Sequence, residues 1–94
     1  MNSIMQDEEK CYITGETRDT TALHKHHIYG GANRRISERE GFFIYLKPEL
    51  HNMSNHGIHF NKDWDLELKR ACQRKYEETH TRDEFMALIG RNYL

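Results

Sequence analysis

Two β-prone runs, at 23–28 and 42–46, constrain this chain most, because they flank a polar, glycine-marked stretch and end at its only proline. Phe42-Phe43-Ile44-Tyr45-Leu46 has the aromatic and branched composition that suits a pleated, half-buried surface. Pro48 cannot donate to a sheet ladder, so the run stops there, and the same proline suits the first turn of a helix. After the first run, Gly30-Gly31 breaks any regular element. Positions 32–41 are polar and carry Arg34, Arg35 and Arg39, so they read as a loop or short helical turn. The two runs are expected to pair as a β-hairpin.

Beyond the hairpin the apolar period changes. Trp64, Leu68, Ala71, Cys72 and Tyr76 recur at spacings of three and four, which predicts a helix over 61–80 capped by Asn61 or Asp63. Thr81 followed three residues later by Glu84 is a capping box, with Phe85, Leu88 and Ile89 as the buried side of a short helix and Gly90 as its stop. The expected class is α+β: a β-hairpin plus short helix, backed by a long helix and a short C-terminal helix. With 94 residues there is room for a single core. Positions 1–10, with Asp7, Glu8 and Glu9, read as a flexible or lightly docked tail, and 11–94 as the domain.

No apolar run approaches the roughly 20 residues of a membrane span, and the start of the chain is polar and acidic, so neither membrane insertion nor secretion is expected. Two cysteines, Cys11 and Cys72, are too few for a disulfide framework and point to a reducing cytoplasm. Fourteen basic against fifteen acidic residues leave a net charge of −1, so any nucleic-acid binding must come from local patches.

Histidine carries the chemistry. Six of the seven histidines lie between positions 24 and 59. Taken singly, His24, His56 and His80 read as surface or satisfied core residues. His26 and His27 are different: adjacent strand residues point to opposite faces, so one can ligate a metal while the other addresses another atom of the same site. A neutral imidazole binds divalent ions, and a pKa near neutrality lets it take a proton from water. His51, on a short helix packed against the hairpin, would supply a second ligand to the same ion, the minimum for a one-metal hydrolytic site.

These residues together, His26-His27-Ile28 with Gly30-Gly31, the strand at 42–46 and Pro48-Glu49-Leu50-His51-Asn52, resemble the HNH endonucleases. This is the ββα-metal nuclease class, and the likeness, over residues 11–60, is to its short single-domain phage and prophage members. The resemblance implies a metal finger over about 22–60 and supporting helices over about 61–90. It implies metal-dependent hydrolysis of DNA phosphodiester bonds, with His27 as general base and His26 and His51 as metal ligands. Asn55 or His59 would be the third ligand. One divalent ion is implied, magnesium or manganese in the cell, with zinc or nickel able to occupy the site. DNA is the implied partner, contacted through Arg34, Arg35 and Arg39, together with a protein partner for targeting, in the cytoplasm of a bacterial host.

The chain departs from the family pattern twice. The family's middle asparagine would fall at Phe42, and Asn33 is the substitute the sequence offers. Relatives' structural zinc ligands would fall at Cys11, Thr14, Lys47 and Leu50, so no structural zinc is expected. Two other readings are open at this point. One is a catalytically degenerate module that binds nucleic acid or protein. The other is a structural zinc-binding adaptor in which Cys11 joins the histidines.

Overall fold

Pairing follows the β-prone runs. In the computed structural model, which describes residues 2–51 and 61–94, β1 (His24–His27) and β2 (Phe43–Leu46) form an antiparallel two-stranded sheet. The register sets His24 opposite Leu46 and His27 opposite Phe43. The connection between them is more regular than the expected loop: a 3-10 turn (Gly31–Asn33) leads into α1 (Arg34–Glu40). Gly41 ends α1 in the left-handed conformation, φ 78°, donating its N–H to the Ser37 carbonyl. Ser37 is the reason α1 forms where it does. Fully buried, its Oγ accepts from the Tyr29 N–H at 3.1 Å and donates to the Tyr29 carbonyl at 2.7 Å, clamping the helix to the end of β1.

After β2, Pro48 opens α2 (Pro48–His51). The long helix α3 (Lys62–Tyr76) has the expected Asn61 cap, whose side chain accepts from the N–H groups of Asp63 and Trp64. The short helix α4 (Arg82–Ile89) carries the complete Thr81–Glu84 capping box and ends at Gly90, φ 84°. No described helix is long and apolar enough to cross a membrane.

The core is aromatic. Tyr29, Phe42, Tyr76 and Phe85 meet edge-on or tilted with ring centroids 5.4–6.2 Å apart. Leu68, Cys72 and Ile89 complete it from the helices. Tyr29 is anchored by a 2.6 Å hydrogen bond from its hydroxyl to the Lys69 carbonyl, and burial pushes that hydroxyl above the ordinary phenol range. Two apolar residues, Phe43 of the β-prone run and Trp64 of the expected helix face, lie outside this cluster. Phe42 enters the aromatic cluster while Phe43, one residue on, faces the opposite side of the sheet. Trp64 sits in the first turn of α3 and is 41% exposed, lining an apolar groove with Tyr12 and Ile13.

The first residues are not detached. The Ile4 N–H donates to the Gly41 carbonyl at 3.0 Å, the Ser3 hydroxyl to the Phe43 carbonyl, and the Tyr45 N–H to Gln6 Oε1 at 2.8 Å. Ile4 and Met5 pack against the core cluster. Composition does not signal this docking because most of it runs through polar and backbone groups.

Candidate active-site cleft

Strand alternation divides the histidines between two faces of β1. Lys25 and His27 project toward α1, where Glu38 follows the Ser37 clamp. His27 Nε2 lies 2.7 Å from Glu38 Oε2, and Lys25 Nζ donates to Glu38 Oε1 at 3.0 Å. The His27 hydrogen bond, with the Lys25 ammonium, holds the exposed Glu38 carboxyl below the usual carboxylate range. Lys25 also lies over the Phe43 ring, 4.3 Å from its centroid.

On the other face, His24 and His26 look toward His51. Because β2 ends at Leu46, opposite His24, the turn through Lys47 into α2 brings His51 back over this end of β1. His24 Nδ1 and His51 Nδ1 stand 3.1 Å apart. The His51 ring meets both neighbours at 78°, with centroids 5.2 Å from His24 and 5.3 Å from His26. His26 is the most buried of the group, at 2% exposure.

The two faces meet at the outer edge of β1. One wall of the cleft there is formed by His27, Arg34, Arg35 and Glu38, and the adjoining part by His26, His27, Gly30, Arg34 and His51, with Lys25 common to both. Of the residues singled out in the sequence, His26, His27, His51, Arg34 and Arg35 are therefore gathered in one place. Arg39 pairs with Glu40 at 2.9 Å. Asn33 donates from Nδ2 to the Ile89 carbonyl at 3.0 Å, tying the 3-10 turn to the end of α4. Its side chain thus serves the helix packing and not the cleft. Asn55 and His59 lie outside the described residues.

Two cleft residues, Lys25 and Glu38, and His24 beside His51 lie outside the motif residues of the sequence. Lys25 and Glu38 have no motif of their own, although the i, i+4 spacing of Arg34 and Glu38 joins them on one face once α1 is a helix. His24 carries a signal that is legible: two residues before His26 on a strand, it shares that residue's face.

The donor set suits a divalent ion in chemistry, since the inward face offers imidazole nitrogens of which two are already adjacent. Among the described residues, no group of three or more His, Cys, Asp or Glu side chains is placed to hold a metal together. Comparisons with protein-family models, curated proteins and solved structures return no match.

Proposed function

We propose that this domain is a metal-dependent endonuclease of the HNH type that hydrolyses phosphodiester bonds in DNA, with β1, β2 and α2 as its metal finger. The observation that carries the reading is the 2.7 Å contact between His27 and Glu38 inside a cleft walled by Lys25, Arg34 and Arg35. A carboxylate accepts the Nε2 proton, so the Nδ1 lone pair of His27 is left to act as base, and the imidazolium formed there is stabilised by the same carboxylate. His27 takes a proton from water, the resulting hydroxide oxygen attacks phosphorus in line, and the bond to the 3′ oxygen breaks. That oxygen acquires a proton from solvent, leaving a 5′ phosphate and a 3′ hydroxyl. Arg34 and Arg35 offer guanidinium donors to the phosphate oxygens.

His26 and His51 would hold the divalent ion, which when bound supplies positive charge to the phosphate as it accumulates negative charge. Within a cell the partners would be DNA and a protein that targets so small a domain. A second reading, binding without cleavage on the same scaffold, is favoured by one observation: Asn33, the substitute for the family's middle asparagine, gives its side chain to Ile89.

Nicking of supercoiled plasmid in the presence of magnesium or manganese separates the two. His27→Ala should slow nicking by about 100-fold or more, the scale of a lost general base. Glu38→Ala should slow it by a smaller factor, about 10-fold or more, because Glu38 orients the base without transferring the proton itself. Wild-type rates in the His27 variant would remove His27 from the mechanism, and an inactive wild-type protein that still binds DNA would favour the binding module.

A further inference from the structure

We infer that His24 and His51 form a two-nitrogen clamp for a late first-row transition-metal ion, which makes His24 a metal ligand that the family resemblance does not assign. The ion's part in hydrolysis rests on the function proposed above; the clamp itself rests on geometry. His24 Nδ1 and His51 Nδ1 are 3.1 Å apart. Zinc–imidazole bonds are about 2.0–2.1 Å long, so two nitrogens at this separation subtend about 98° at an ion bound to both, between the octahedral and tetrahedral angles. The pair thus stands at chelating distance without any movement of the backbone.

Its surroundings hold it there. His24 is fixed by the register that places it opposite Leu46, and His51 by α2, which starts two residues after that strand residue. In the metal-free pair, one ring donates a proton to the other across the 3.1 Å gap. Ligation requires both Nδ1 lone pairs, so the donating ring moves its proton to its own Nε2, and the pair neither gains nor loses a proton in that step. The donors of this clamp are both nitrogen. Such a set suits zinc, nickel or cobalt, whereas magnesium demands oxygen ligands and keeps much of its water. The ion seated at this clamp is therefore a transition metal.

The test is titration of the full chain with Zn²⁺ and Ni²⁺, without nucleic acid, by calorimetry and by ¹⁵N NMR of the histidine rings. Wild-type protein should bind, with the Nδ1 resonances of both His24 and His51 moving on zinc addition. His24→Ala should lose more affinity than the roughly 10–100-fold that follows removal of an outer-shell partner. His24→Asn retains a hydrogen-bonding group beside His51 and should keep the fold, checked by circular dichroism, while losing affinity equally. If only His51 shifts, or if both His24 variants bind zinc as wild type does while His51→Ala does not, His24 is no ligand, the clamp is overturned and the endonuclease reading stands. Binding of neither ion by the wild-type protein overturns the clamp, and plasmid nicking with magnesium or manganese then decides the endonuclease reading separately.

Discussion

Replacing Gly41 by alanine tests whether the first residues of the chain hold α1 and β2 together. Gly41 and Gly90 are the same device at two helix ends, left-handed at φ 78° and 84°, each donating its N–H to the carbonyl four residues back. Their surroundings differ. A Cβ at Gly90 would meet nothing within 4 Å, whereas one at Gly41 would stand 2.3 Å from the Asn2 carbonyl oxygen and 3.3 Å from the Ile4 nitrogen. Gly90→Ala should therefore cost only the left-handed penalty of about 1 kcal/mol. Gly41→Ala should cost that and also unseat the N-terminal segment, because the obstructing atoms are backbone. The Ile4–Gly41 and Ser3–Phe43 hydrogen bonds go with it, each about 1 kcal/mol net, for a total of about 3 kcal/mol. For a domain of this size, each kcal/mol lowers Tm by about 4–8 °C, so thermal melts followed by circular dichroism should separate the variants by about 8–16 °C. Zinc binding should survive in both, since the clamp lies at the other end of β1. Equal melting temperatures for the two variants would refute the reasoning and show that the N-terminal segment contributes nothing at Gly41.

Other outcomes follow from individual side chains. Asn33→Ala should lower stability by about 1 kcal/mol in urea unfolding while leaving the plasmid-nicking rate unchanged, because its partner is the Ile89 carbonyl. Charge reversal at Arg34 and Arg35 should weaken DNA binding regardless of sequence and reduce the slope of log affinity against log salt by about one unit for each phosphate no longer neutralised; an unchanged slope would take both residues off the DNA. The Cys72 thiol, pushed up to about 12 by burial, should resist thiol reagents in the folded protein at pH 8, and labelling as fast as in urea would contradict its placement in the core.

Whatever has a period or a cap is legible in the sequence. The capping box at Thr81 and the Asn61 cap announce α4 and α3 through local hydrogen bonds, and the β-prone runs pair as their composition suggests. α1 is less visible because its seven residues bury only one, Ser37, and that one is polar, so no apolar stripe marks it. With α1 hidden, Glu38 is hidden as well. Trp64 misleads in the opposite sense: it keeps the helical spacing but falls in the first turn of α3, beside the exposed Tyr12 and Ile13. For the cleft, alternation along β1 rightly separates His26 from His27, yet the same period of two joins His24 to His26, and adjacency draws attention from that pair. Asn33 suggests itself by chemistry alone; its engagement with α4 depends on a partner 56 residues away in sequence, which no local pattern encodes.

The four positions at which the HNH resemblance would put structural zinc ligands, Cys11, Thr14, Lys47 and Leu50, lie on a loop and around the end of β2. Cys11, Thr14 and Lys47 still gather: burial pushes the Cys11 thiol up, but the Thr14 side chain and the backbone of Lys47, Thr14 and Ile13 around it outweigh burial and bring the thiol below its ordinary range. Leu50, at the fourth position, packs on the core. Two contacts link this loop to β2 and the residue that follows it. Tyr12 donates its N–H to the Tyr45 carbonyl at 2.8 Å, and Lys47 Nζ reaches Glu16 Oε1 at 2.9 Å. That ion pair lowers the Glu16 pKa and raises that of Lys47, so its contribution is present between the two titrations. It fades as pH falls through the depressed carboxylate value or rises through the elevated ammonium value. The ion pair answers to acid, base and salt, because its partly exposed charges are screened, whereas the backbone hydrogen bond beside it is not. The loop at 11–17 is thus tied to the strand that leads into α2, and the placement of His51 over β1 draws on ordinary backbone and side-chain contacts.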